Sequence, residues 1–154
     1  MLQKKIILLL LLLLSSCGYE APHSKKNSVN YIFSISELNF LGDRIVNLKI
    51  KERLSNYTQS KKDKNFILKI SSTSEKIILA KDITGDTTAF KNTVSINVEV
   101  LMNDKFKDNL IIIESFNYNN ISNKFNLKNY ESEIKNNLAE IATDKLIFKL
   151  SNIQ

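Results

Sequence analysis

The stretch from Phe90 to Met102 constrains the fold more than any other part of the chain. Phe90, Val94, Ile96, Val98, Val100 and Met102 share one parity, while Lys91, Thr93, Ser95, Asn97 and Glu99 share the other. Asn92 and Leu101 break the pattern, one near each end. Successive side chains of a strand point to opposite faces, so one face of this sheet is apolar and covered and the other is polar. A chain holding such a strand must supply a second layer to cover it and leave the remaining face to solvent or a partner.

The neighbouring segments extend the sheet. Asn103-Asp104-Lys105 reads as a turn and Leu110 to Tyr118 as the next strand, so the two strands form an antiparallel hairpin. Upstream, Phe66, Leu68 and Ile70 alternate with Lys69 and Ser71 as a further strand. Ser71 to Ser74 reads as a polar interruption. Ile77 to Ile83 then resumes an extended pattern, either as a continuation or as an edge strand, and Thr84-Gly85-Asp86 is a turn signal. Tyr31, Phe33 and Ile35 alternate with Ser34 and Ser36 and predict a first strand.

Two segments carry helical spacing. Gly42-Asp43 breaks the first strand, and Asp43 suits an N-cap. Behind it Val46, Ile50, Leu54 and Tyr57 recur on one helical face. Val46, Leu48 and Ile50 also fit a period of two, but the Arg, Glu and Lys content favours the helix. Tyr57 to Asn65 is a polar, basic loop. After an Asn-rich loop from Asn119 to Lys124, Asn126 is expected to cap a closing helix with the stripe Tyr130, Ile134, Leu138, Ile141, Ala142, Leu146 and Leu150. Glu131 and Glu133 near its start and Lys145 and Lys149 near its end complement the helix dipole. The order predicts an α+β fold, a two-layer sandwich. It would hold a mostly antiparallel sheet of about four strands, with two amphipathic helices on one face. The uncovered face would carry Lys69, Lys91, Ser95 and Asn97.

Ahead of this domain the first residues read as an export signal. Lys4 and Lys5 precede an unbroken apolar run from Ile6 to Leu14, followed by Ser15, Ser16, Cys17 and Gly18. A positive start, a short apolar run and small residues before the cut make a secretory signal peptide. The run is shorter than the roughly 20 apolar residues that span a bilayer as a helix. Leu, two small residues and Cys resemble the lipobox of bacterial lipoproteins. That resemblance implies cleavage between Ser16 and Cys17, a diacylglyceryl group on the Cys17 thiol and acylation of the new amine. The first domain boundary therefore falls after residue 16, residues 17–30 form a lipidated tether, and residues 31–154 form a single domain. More than one acyl chain anchors a protein stably, at about 0.8 kcal/mol per buried CH₂. In this class an Asp after the cysteine usually retains the protein at the inner membrane; Gly18 stands there instead, which points to the outer membrane.

Composition narrows the chemistry. Cys17 is the only cysteine, so acylation leaves no thiol for a disulfide and the core must stabilise itself. Removing Lys4 and Lys5 lowers the formal charge from +6 to +4. Abundant Lys, Asn and Ile suit an AT-rich genome. A basic surface also suits an acidic partner, and anionic lipid headgroups or lipopolysaccharide phosphates fit an exported lipoprotein, whereas nucleic acid does not. The single histidine, His23, lies in the tether, so no Cys/His metal cluster and no Ser-His or Cys-His pair can form inside the fold. With three glycines there is no phosphate-cradling loop. No cofactor and no enzymatic activity are expected.

The lipobox, Cys17-Gly18-Tyr19, Pro22 soon after, Gly42-Asp43-Arg44 opening a helix, a hairpin-rich middle and a closing amphipathic helix resemble the LPS-assembly lipoprotein (LptE) family. Tyr118-Asn119-Asn120, Ser122-Asn123-Lys124-Phe125 and Leu127 to Tyr130 resemble that family's approach to its last helix. Family members usually place Pro two residues after the aromatic; here Glu20 and Ala21 intervene. The resemblance implies an outer-membrane lipoprotein on the periplasmic face. It would assist assembly of the β-barrel LptD, plug it and help deliver lipopolysaccharide to the outer leaflet. The family's lipopolysaccharide contacts are basic. The candidates here are Lys69 and Lys91 on the polar sheet face, then Lys105 and Lys107 at the hairpin tip. The alternative is a free-standing periplasmic lipoprotein that binds a small ligand or scaffolds the envelope.

Overall fold

The alternation that predicts strands and the helical spacing that predicts helices are both realised. A computed structural model of the chain describes residues 32–59 and 61–153. The expected signal peptide (1–16), the acylated Cys17, the tether (17–30) and Tyr31 lie outside the described residues. The elements run β1 (Ser34–Gly42), α1 (Arg44–Leu54), a 3-10 turn (Ser55–Thr58), β2 (Asn65–Lys81), β3 (Thr87–Met102), β4 (Lys105–Asn119) and α2 (Lys124–Asn152). The sheet order is β1-β2-β3-β4. Strand β1 pairs parallel to β2, and the other two pairings are antiparallel. The fold is an α+β two-layer sandwich with both helices against one face of a mostly antiparallel sheet.

The core lies between the layers. Strand β3 contributes Val94, Ile96, Val98 and Val100, β2 contributes Phe66, Leu68 and Ile70, and α1 contributes Val46, Ile50 and Leu54, all essentially inaccessible. The sequence exception Asn92 is also buried, on the apolar parity, where its amide oxygen accepts from the Ser74 hydroxyl. Tyr57 lies beyond α1, in the 3-10 turn, where its ring stacks on Phe33 at 4.7 Å.

Three expectations need correction. Ser71 to Ser74 does not interrupt the strand: the β2–β3 ladder runs through it, and Ile77 to Ile83 begins as a continuation of β2. A ladder needs backbone groups, not apolar side chains, and Ser72 is buried because the chain turns over it. The Ser72 carbonyl accepts from the Asp43 amide at 3.0 Å, and its hydroxyl lies 2.7 Å from the Asn47 amide oxygen. The cap of α2 is Asn123, not Asn126. The Asn123 side chain accepts from the amides of Phe125 and Asn126, so Asn126 is a capped residue inside the first turn. The stripe of α2 also shifts. Tyr130 and Ile141 are 37% and 46% exposed, while Ala139 and Thr143 are buried. Ala139 and Ala142 let α2 approach closely, and the Thr143 hydroxyl is satisfied by the Ala139 carbonyl at 2.6 Å.

The turns show why the strands outrun their sequence signals. Asn103 and Asp104 both have positive φ, 54° and 59°, which is the two-residue turn matching strand twist, so β4 starts at Lys105 rather than Leu110. At the other end the Asp82 carboxylate accepts from the Thr84 hydroxyl and the amides of Thr84 and Asp86. These bonds, the Thr84 hydroxyl foremost, hold that carboxyl below its ordinary value. The start of α2 is fastened by Tyr118, whose hydroxyl donates to Glu131 at 2.9 Å. Burial, then this carboxylate neighbour, push the Tyr118 phenol well above the usual tyrosine range.

Candidate functional surface

Strand register places the candidate lysines, whereas Ser16 and Cys17 lie outside the described residues. On the face opposite the helices, Leu41, Ser71, Asn97 and Ile111 form one cross-strand row, and Asn39, Lys69, Glu99 and Asn109 form the next. A shallow open groove of about 690 Å³ crosses these rows. Its lining mixes the amides of Asn39, Asn97 and Asn109 with apolar Leu41 and Phe106.

Lys69, Lys91, Ser95 and Asn97 do share this face. Lys69 sits directly opposite Glu99 and is bound to it at 2.8 Å. An exposed pair of this kind contributes about 0–1 kcal/mol to stability, but it cancels the charge of the lysine locally. Lys91 lies between Ile77 and Asn117, eight positions along β3 from Glu99, or roughly 26 Å at strand rise. The fold therefore does not bring Lys69 and Lys91 to one spot. Lys105 opens β4, and Lys107 falls in a bulge, because Phe106 pairs with Leu101 while Asp108 pairs with Val100. Both lysines are exposed, and neither they nor Lys91 form an ion pair among the described residues.

The face is less polar than its central strand predicts. Leu41, Ile111, Ile113 and Phe106 are exposed on it. Leu110-Ile111-Ile112-Ile113 is apolar at both parities, so it signals two apolar faces, and β4 carries that second face to the surface. Nor is the face basic: Lys69 and Lys91 share it with Glu75 and Glu99. Among the described residues no group of three His, Cys, Asp or Glu side chains is placed to hold a metal ion. No helix there is long and apolar enough to cross a membrane.

No protein-family profile and no curated protein matches the sequence. Solved structures do match its fold. The rare lipoprotein B of Shewanella oneidensis superposes with a TM-score of 0.60 at 12% identity, covering 75% of this chain and 93% of that one. The uncharacterized lipoprotein B of Nitrosomonas europaea gives 0.58 at 15% identity, covering 77% and 83%. A minor lipoprotein of Acinetobacter baumannii gives 0.56 at 11% identity, covering 77% and 92%. The fold is LptE-like. An LptE-like fold accounts for the layout on which the sequence resemblance rests: a first strand, Gly42-Asp43-Arg44 opening a helix, a hairpin-rich middle and a long closing helix. These three solved structures are lipoproteins by name.

Proposed function

We propose that this chain is a lipid-anchored outer-membrane lipoprotein that assists assembly of the LptD-type β-barrel, plugs it and helps deliver lipopolysaccharide to the outer leaflet. The observation that carries the proposal is an LptE-like fold following a lipobox-type Cys17. The open sheet face supports a docking role. It is broad, mixes amides with exposed Leu41, Ile111 and Ile113, and has a second layer only on its far side. The role is non-catalytic and needs only surface complementarity.

Lys91, Lys105 and Lys107 are the lysines free to meet lipopolysaccharide phosphates, whereas Lys69 must first leave Glu99. The test is purification of the full chain from outer membranes in mild detergent. Recovery together with a large β-barrel protein is expected, and recovery of the chain alone overturns the proposal. The competing reading, a free-standing small-ligand module, finds support in the groove volume, which lies within the usual range of about 300–1,000 Å³ for ligand sites. It is the weaker reading because that groove is open to solvent rather than enclosed.

A further inference from the structure

We propose that the end of the domain where the described chain begins is a membrane-interfacial surface that rests on anionic lipid headgroups. The inference builds on the proposed acylation of Cys17 and extends it to the folded domain. Three segments distant in sequence meet at this end. Ser34 opens β1 there, and its hydroxyl accepts from the Lys62 amide at 2.9 Å. The β3–β4 turn lies there because Phe66, at the start of β2, pairs with Met102. The C-terminus of α2 lies there because the Lys64 ammonium donates to the carbonyls of Ser151 and Ile153.

This meeting gathers charge. Lys61, Lys62, Lys64, Lys105, Lys107 and Lys149 stand in these segments against Asp63, Asp104 and Asp108. None of the six lysines forms an ion pair among the described residues. The opposite end has no such excess: Lys76, Lys81, Lys124 and Lys128 stand there with Asp82, Asp86, Glu131 and Glu133, and Lys76 is paired with Glu131. The positive excess therefore lies at one end, the end at which β1 starts.

Large apolar side chains sit among these lysines. Phe106, between Lys105 and Lys107, is 65% exposed, Phe148, beside Lys149, is 72% exposed, and Ile32 is 68% exposed. Lys107, Phe148 and Lys149 border one groove. Soluble phosphate would satisfy the lysines but gives exposed phenylalanines nothing. A bilayer interface takes both, seating apolar side chains at the acyl boundary while the ammonium groups stay among headgroup phosphates.

The experiment uses the chain from position 17 to 154 with Cys17→Ser, which removes any acyl chain. It is sedimented with phosphatidylcholine vesicles, with and without phosphatidylglycerol. Each lysine near an anionic surface is worth about 1 kcal/mol, or about fivefold in affinity. The protein is expected to bind the anionic vesicles and to release as salt rises. Lys105→Gln with Lys107→Gln should weaken binding about 30-fold. Phe106→Ser should weaken it with the thermal melt retained, and Lys81→Gln with Lys124→Gln at the other end should change nothing. Equal binding to neutral vesicles, no binding to anionic ones, or an unaffected Lys105/Lys107 variant each overturns the inference. So does binding to lipopolysaccharide micelles alone, which would assign the lysines to that lipid. The mass of the full chain purified from membranes reads the anchor separately. Without acylation, vesicle binding leaves the surface standing and removes the anchor; acylation without vesicle binding removes only the surface.

Discussion

Lys135 of α2 donates to the Asp43 carboxylate at 2.9 Å, and the other oxygen of that carboxylate caps α1 by accepting from the amides of Ile45 and Val46. One half-buried side chain thus starts one helix and ties it to the other. Burial by itself raises the Asp43 carboxyl, but the Val46 amide, Lys135 and the Ile45 amide outweigh it and hold the pKa below the ordinary 3.8. A carboxyl with a lower pKa folded than unfolded contributes stability above the unfolded value and loses it as pH falls through the folded one. Asp43→Asn should therefore lower stability at neutral pH and flatten its decline below about pH 4. Asp43→Ala, which also removes the cap, should cost about 1–2 kcal/mol. Urea titrations across that pH range measure both.

Gly42 should tolerate no side chain. Its φ is 100°, and a Cβ there would lie 1.9 Å from the Ser72 carbonyl oxygen, a backbone atom in the middle of the sheet. Gly42→Ala should cost about 3 kcal/mol or more, combining backbone strain of about 1–3 kcal/mol with displacement of β1 from β2. Gly85→Ala has a similar φ of 89° but open space around it, so it should cost only the strain. Thermal melts of the two variants separate the steric part from the conformational one.

The two faces of β3 should respond oppositely to charge. Ile96 is 1% exposed, and Ile96→Asp buries an unpaired carboxylate at a cost of several kcal/mol, a large share of a typical stability of roughly 5–15 kcal/mol. That variant should not fold. Lys91→Glu, on the open face, should stay within about 0.5 kcal/mol of the parent. If that face meets lipopolysaccharide phosphates, Lys91→Glu should weaken binding most at low salt. Circular dichroism melts and lipopolysaccharide binding, measured side by side, decide both.

Cys17→Ser should abolish acylation and signal removal, because the chain has no other thiol. The expected product is a precursor retaining residues 1–16. Intact mass and palmitate labelling check this, and a variant that runs at the mature mass and still labels overturns the lipobox assignment.

The sequence by itself determined the strands and helices whose burial repeats along the chain. The parity of Phe90 to Met102 set which side chains of β3 meet the core, and Asp43 marked the start of α1 because a cap needs only neighbouring amides. These signals are local, so one segment carries them whole. Tertiary structure decided what depends on two distant segments at once. Asn123 and Asn126 are chemically alike, and only the path of the chain after β4 chose the first as the cap. Ser72 reads as loop until Gly42 and Asp43 turn over it. Lys69 reads as a free cation until register sets it opposite Glu99. The lysines of the domain's basic end are scattered through the sequence and become one surface only when the β3–β4 turn, the loop before β2 and the C-terminus of α2 converge. A charge pattern made by convergence leaves no periodicity in the chain, because its spacing is set by the fold and not by the repeat of any single element.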